Sequence, residues 1–280
     1  MTHDKKLLLD VGGTFIKCSD GRTVEVNSNG TREEIAGAFR EAVGGAKDVA
    51  VAIPGPFDYA RGIFLMKHKY ATVYGESFAD LVSPNSYPAT SSPSRKPQFH
   101  YMHDVVAMLL GGLSLSETNR FSRVALITIG TGLGFAVSID GQPQLCASGS
   151  PACSLFNRPY RNGIAEDYVS KRGIMRMWSE RVGLPWPSGQ TVKNIAETQD
   201  GKAVFACLGT LLGEIAAPLL NELKIECVLL GGQIAKSFAL MEQTLRQSLA
   251  SVLSIQYVGA LPNLDTATFD GLRSGIRKTS

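Results

Sequence analysis

Apolar and polar positions along this chain switch between the two-residue period of strands and the 3.6-residue period of helices, and the switches mark its elements. Residues 6–11, KLLLDV, form a continuous apolar run that ends in Gly12-Gly13, the pattern of a buried strand followed by a turn. Residues 23–26 are predicted as the next strand of a meander. Thr31-x-x-Glu34 is a capping box; behind it Ile35, Phe39 and Val43 recur at helical spacing, and Gly44-Gly45 closes the helix. Residues 48–56, DVAVAIPGP, read as another buried strand, broken by Pro54. This β-β-α-β order predicts an α/β domain.

Residues 83–97 are rich in Ser and Pro without periodicity and read as a surface loop. The segment HYMHDVVAMLLGG opens a helix at Asp104. Residues 123–139 read as two strands around a glycine-rich turn, with Asp140-Gly141 turning the chain again. Helices are predicted at about 165–182 and about 200–222. The strand CVLLGG (227–232) leads into an amphipathic helix with Phe238, Leu245, Leu249 and Val252 on one face, and a last helix begins near Asp265. LLLDVGG, ITIGTGLG and CVLLGG are thus three buried strands that each end in glycine.

Length and composition narrow the class. At 280 residues the chain has room for one large domain or two modest ones, with enough buried surface to need no covalent staples. The net charge of +3, with Lys and Arg scattered, argues against a nucleic-acid partner. No apolar run reaches the roughly 20 residues of a membrane span, so no membrane partner is expected. MTHDKK leads directly into the first strand with no signal peptide, so the expected location is the cytoplasm. Cys18, Cys146, Cys153, Cys207 and Cys227 form no C-x-x-C pair and are odd in number, which argues against a disulfide framework and a zinc knuckle. They read as reduced and mostly buried thiols.

Glycine after a buried strand lets the backbone approach a ligand, and its N–H groups can form an anion nest. Three such turns can hold the phosphates and the adenosine of one nucleotide, although each alone reads as an ordinary turn. The first turn adds Asp10, Thr14 and Lys17. A carboxylate there can hold Mg²⁺ through water, and Thr14 and Lys17 can reach phosphate oxygens; the plainer reading is an Asp that caps its own turn. There is no G-x-x-x-x-G-K-[ST], and Gly130-Thr131-Gly132-Leu133-Gly134 lacks the G-x-G-x-x-G spacing. Asp104 reads equally as a helix N-cap and as a carboxylate that accepts a hydroxyl proton, and the two roles can coexist.

The ordered set of motifs resembles the ROK sugar kinases of the actin-like ATPase superfamily. DVGGTFIK (10–17) resembles that family's opening phosphate motif, AIPGPFD (52–58) its G-x-P-G-x-x-D turn and HDVVAMLLG (103–111) its N-D-x-N-A-x-x-x-G segment. TIGTGLGFAV (128–137) is similar to its second phosphate motif, EDYVSKRGI (166–174) to its E-x-x-x-S-G segment, and VLLGGQIAKS (228–237) to its adenosine motif. The resemblance implies two ribonuclease-H-like α/β domains around a central cleft. The expected division is 1–104 plus 265–280, with a returning C-terminal helix, and 105–264. It further implies ATP-dependent phosphorylation of a hexose or amino sugar at its 6-hydroxyl, with Asp104 as general base and Asp10 organising Mg²⁺. Gly12, Gly13, Thr14, Lys17, Gly130, Thr131 and Gly132 then hold phosphates, and Gly231 and Gly232 border adenosine. A sugar is the expected partner, contacted by His103, Glu166 and Asn157, and the resemblance allows a homodimer.

Four departures qualify the resemblance. The family's Asn before the catalytic Asp is His103 here. Its E-x-G-H and cysteine-rich zinc segment is replaced by SGSPACSLFNRPYRNGIAED (148–167), so no structural zinc is expected, and NRPYRNG resembles a zinc-free branch. The sugar-binding Glu of that segment has no counterpart; Ser154, Phe156 or Asn157 stands in its place, which puts glucose specificity in doubt. Ser170-Lys171 replaces Ser-Gly, with Lys171 read as solvated. The alternative is a catalytically weak or inactive sugar-binding regulator. The family's repressors carry an added N-terminal helix-turn-helix, for which the residues ahead of the first strand leave no room. A polyphosphate donor would want a basic groove, and no cluster of Lys or Arg is evident.

Overall fold

A computed structural model describes residues 6–83 and 97–277; the Ser/Pro-rich loop expected at 83–97 lies almost wholly outside the described residues. The chain divides into two compact units: residues 1–111 with 145–150 and 268–280, and residues 112–144 with 151–267.

In the first unit the strands β1 (Leu7–Val11), β2 (Phe15–Cys18) and β3 (Thr23–Glu25) form an antiparallel meander. After helix α1 (Arg32–Val43) comes β4 (Asp48–Ile53), parallel to β1. The ribbon β5 (Phe57–Asp58) and β6 (Ile63–Phe64) and helix α2 (Phe78–Val82) precede β7 (Gln98–His103), which runs parallel to β4 and passes directly into α3 (Asp104–Leu113). The five strands lie in the order β3-β2-β1-β4-β7. Alternation decides the two faces. Leu7, Leu9, Val11, Val49, Val51 and Ile53 point into a core with α1 and the Phe39, Phe57, Phe64 and Phe78 rings. Leu8, Ala50 and Ala52 face Ala107 of α3 and Leu272 of the last helix. The capping box is present: Thr31 accepts from the Glu34 N–H while Glu34 reaches back to the Thr31 N–H, a motif that stabilises a helix by about 1 kcal/mol.

The second unit repeats this plan. Strands β8 (Arg123–Ile129), β9 (Leu133–Ile139) and β10 (Gln142–Pro143) form a meander, followed by the ribbon β11 (Pro159–Tyr160) and β12 (Gly163–Ile164). Helices α4 (Ala165–Tyr168), α5 (Lys171–Val182), α6 (Val192–Ala196) and α7 (Gln199–Glu222) lead to β13 (Cys227–Gly231), parallel to β8. Helix α8 (Glu242–Ser248) precedes β14 (Tyr257–Ala260), parallel to β13, and α9 (Ala267–Arg277) returns to the first unit, where Gly271 lies against Ala107. The order β10-β9-β8-β13-β14 is topologically the same as that of the first sheet.

The structure amends four expectations. Strands β2, β5, β6, β7, β10, β11, β12 and β14 and helices α2 and α6 were not anticipated. The single helix expected after β13 is a 3₁₀ helix, Gln233–Leu240, and then the short α8; Leu249 and Val252 are buried beyond its end. Helix α7 is long and apolar enough to cross a bilayer, contrary to the expectation of no such run, but it packs as the central helix of the second core through Phe205, Leu208, Leu212 and Leu220. Of the cysteines only Cys18 and Cys227 are buried; Cys146 and Cys207 are exposed and Cys153 lies between.

Candidate active site

Parallel strands in an open α/β sheet present their carboxyl ends to ligands. In the first unit those ends carry Asp10 on β1, Ile53-Pro54-Gly55 after β4, and His103-Asp104 after β7. Asp10 is in register with Ala52, and Ile53 with His103. With strands about 4.8 Å apart, the backbones of β1 and β7 are about 10 Å apart. By alternation Asp10 shares the face of Leu8 and Ala52, the face that α3 covers, and α3 begins with Asp104.

The two carboxylates sense each other. Burial and then the negative charge of Asp104 raise the Asp10 carboxyl to about 6, against the lowering pull of Lys17. Lys17 is the cross-strand partner of Asp10 in the β1–β2 pair. Burial also pushes Asp104 up, but His103, Lys69 and the Val105 N–H together outweigh it and hold Asp104 below the usual carboxylate range. Asp104 is the first residue of α3, not a cap outside it. Its Oδ1 accepts from the Val105 N–H at 2.8 Å and lies 2.9 Å from His103 Nδ1, while Oδ2 has no hydrogen-bond partner among the described residues.

The Gly12-Gly13-Thr14 turn is braced from outside. The Gly12 N–H donates to the Phe15 carbonyl at 2.9 Å, the Ser28 N–H to the Gly13 carbonyl at 3.1 Å and the Val26 N–H to the Thr14 carbonyl at 2.9 Å, and the Tyr70 hydroxyl donates to the Gly12 carbonyl. Lys69, whose charge acts on Asp104, and Tyr70 lie at these residues and were missed by sequence reading, as was Tyr59, whose ring packs 5.8 Å from that of His103. Nothing in the run Lys67-His68-Lys69-Tyr70 marks it as facing a motif more than fifty residues earlier in the chain.

In the second unit the carboxyl ends of β8 and β13 bring two glycine turns together. Gly231 pairs with Thr128, and Gly232, at φ 83°, lies so close to Ile129 that a Cβ would stand 2.4 Å from its carbonyl oxygen. Around Gly130 a Cβ would meet nothing within 4 Å. Glu166 of α4 folds onto this turn: its Oε2 accepts from the Leu133 N–H at 2.9 Å and sits 2.7 Å from the position of a Cβ on Gly132. The exposed Lys171 begins α5, its N–H donating to the Gly130 carbonyl at 2.8 Å. Asn157 is exposed and accepts from the Ser154 hydroxyl at 2.7 Å. Asp10, Gly12, Gly13, Thr14, Lys17, His103 and Asp104 therefore gather in one unit, and Gly130, Thr131, Gly132, Glu166, Gly231 and Gly232 in the other.

No sequence-family model matches the chain, and no curated protein matches it by sequence. Solved structures do match it. A protein of Listeria monocytogenes described as a candidate N-acetylmannosamine kinase superposes with a TM-score of 0.76 at 15% identity, covering 98% of this chain and 99% of that one. A ROK family glucokinase from Streptomyces griseus, solved with glucose and AMPPNP, gives 0.73 at 19% identity over 98% and 99%. A ROK family transcriptional regulator, a homologue of the E. coli MLC protein, gives 0.69 at 17% over 95% of this chain and 79% of that one. With near-complete coverage and the repeated strand order, this chain has the actin-like ATPase fold of the ROK sugar kinases.

Proposed function

We propose that the protein is an ATP-dependent kinase that phosphorylates a hexose or amino sugar at its primary, 6-position hydroxyl. The observation that carries this reading is Asp104: ionised at neutral pH, with Oδ1 engaged, Oδ2 without a partner among the described residues, and a second carboxylate, Asp10, on the same sheet edge. In the reaction the acceptor hydroxyl donates to Asp104 Oδ2. Its oxygen forms a bond to the γ-phosphorus as the bond to ADP breaks, and the hydroxyl proton passes to Asp104. Because phosphoryl transfer has a loose transition state, the proton moves late and a carboxylate of low basicity suffices.

Asp10 fits a role beside Mg²⁺. It is a hard oxygen ligand whose charge is under-compensated, since its carboxyl is pushed up to about 6 with only Lys17 opposing, and no hydrogen-bond donor reaches it among the described residues. Mg²⁺ keeps several of its waters and needs few protein ligands, so a single carboxylate beside the phosphates can serve it. Mg²⁺, when bound, neutralises phosphate charge. Gly12, Gly13, Thr14 and Lys17 would bind phosphate, as would Gly130, Thr131 and Gly132, with Gly231 and Gly232 beside adenosine. Glu166, through its second oxygen, and Asn157 are the proposed sugar contacts of the second unit. The family's zinc segment is missing from the sequence, and no zinc is assigned. The chemistry suits a cytoplasmic enzyme, where ATP is abundant.

The regulator among the structural neighbours favours one second reading, a sugar-binding protein without turnover. A coupled ADP-release screen across hexoses, N-acetylhexosamines and polyols separates the two. Sugar-stimulated turnover supports the kinase; saturable sugar binding with no turnover on any of them supports the regulator.

A further inference from the structure

The sequence places His103 among residues that touch sugar, yet its geometry ties it to Asp104. Its Nδ1 stands 2.9 Å from Asp104 Oδ1. The Val105 N–H is within reach of both groups, 3.2 Å from Nδ1 and 2.8 Å from Oδ1. The shorter, charge-assisted bond to the carboxylate is the stronger of the two. If Nδ1 carried no proton, its lone pair would face the carboxylate at 2.9 Å, with only the Val105 N–H, already 2.8 Å from Oδ1, to share between them. A proton on Nδ1 removes that repulsion and lets Oδ1 accept from both Val105 N–H and His103 Nδ1–H.

The ring is held for this task. His103 is paired with Ile53 in the β4–β7 register. Its Cδ2 and Nε2 edge lies against Gly55, 3.4 Å from where a Cβ would stand. The Tyr59 ring packs beside it at 5.8 Å, anchored by its hydroxyl donating to the Ile53 carbonyl at 3.1 Å. Only 15% of the His103 side chain is exposed, against 34% for Asp104. The imidazole thus presents one nitrogen to the carboxylate and packs its other edge on the turn after β4.

We propose that His103 is a positioning residue for Asp104: its Nδ1–H holds Oδ1, fixes the carboxylate plane and leaves Oδ2 for the acceptor hydroxyl. This rests on the kinase reading for its catalytic consequence, and on geometry alone for the pairing. A carboxylate fixed at one oxygen delivers the other in a single orientation, the same service one member of a catalytic pair gives another in acyl-transfer enzymes.

Two measurements test it. With the best sugar from the ADP-release screen, His103→Leu should lower kcat by about ten- to a hundredfold, the worth of one charged hydrogen bond, while sugar KM changes less than about threefold. His103→Asn, whose amide nitrogen can stand near the Nδ1 position, should restore most of kcat. A raised KM with kcat preserved in His103→Leu would make His103 a sugar ligand and overturn the proposal. Independently of turnover, ¹⁵N imidazole shifts of the neutral ring should show the Nδ1–H tautomer in the wild type and lose it in Asp104→Ala, which removes the acceptor. An Nε2–H tautomer in the wild type would also overturn it. A wild type that phosphorylates nothing removes the kinase reading, and the tautomer still decides the pairing by itself.

Discussion

The two units use one sheet plan for different purposes. In both, an antiparallel meander is extended by two parallel strands, and the first strand of each meander ends in a glycine turn. In the first unit that strand end carries Asp10, its neighbour across the hairpin is Lys17, and the last strand of the sheet delivers His103 and Asp104. In the second unit the corresponding strand end carries Thr128, paired with Gly134 and Gly231, and ionised groups are absent from the turn itself. The first unit carries its charge on the strand ends themselves, whereas in the second the strand ends offer backbone and the carboxylate at the turn, Glu166, arrives from α4. The repeated topology supplies positions; the residue types at the strand ends decide what each position can do.

Substitutions at these strand ends sharpen the contrast, and they rank by expected effect on folding and binding. The largest is Gly232→Ala. A left-handed φ and a backbone oxygen 2.4 Å from the new Cβ should cost about 2–5 kcal/mol, read as a drop in urea midpoint. Next is Asp10→Asn. A carboxyl raised from 3.8 to about 6 binds its proton more tightly folded than unfolded. Its contribution to stability is therefore fully present below about pH 4 and is lost as pH rises through about 6. Removing the charge should stabilise the ligand-free protein near pH 8 by up to about 3 kcal/mol, and by about half that near pH 5, while weakening binding of Mg²⁺-ATP. Equal stability of mutant and wild type at both pH values would contradict the burial of that charge. Gly130→Ala, at a position with open space, should leave stability within about 0.5 kcal/mol of wild type and weaken nucleotide binding by about tenfold, measured by calorimetry. If Gly130→Ala unfolds the protein as Gly232→Ala should, the two glycines do the same job. The smallest effect is Thr31→Ala, which removes a capping box that makes no bond to either turn and should cost about 1 kcal/mol without altering nucleotide affinity.

The parts of the fold legible in the sequence are those in which one physical demand dominates. Strands β1, β4, β8 and β13 have a neighbour on each side and apolar residues on both faces, so they read as unbroken apolar runs. Strands β7, β10 and β14 lie at sheet edges, and Gln98–His103 in particular is half exposed and polar, so neither period stands out. Strand β2 is four residues long and was hidden by the phosphate-motif reading of the same residues. At the site, the residue types of Asp10 and Asp104 were visible, and the roles proposed for them came through the resemblance. Their mutual influence, the bond between Asp104 and His103, and the approach of Lys69 and Tyr70 depend on chain crossings that no local pattern encodes.

The central claim is that the first unit's carboxylate edge performs a proton-accepting phosphoryl transfer. It is tested most directly by comparing wild type and Asp104→Asn for sugar-dependent ADP formation, with nucleotide affinity measured in parallel. The expected result is a fall in kcat of about 10²- to 10⁴-fold with ATP affinity nearly intact. A variant that turns over sugar at the wild-type rate would contradict the claim.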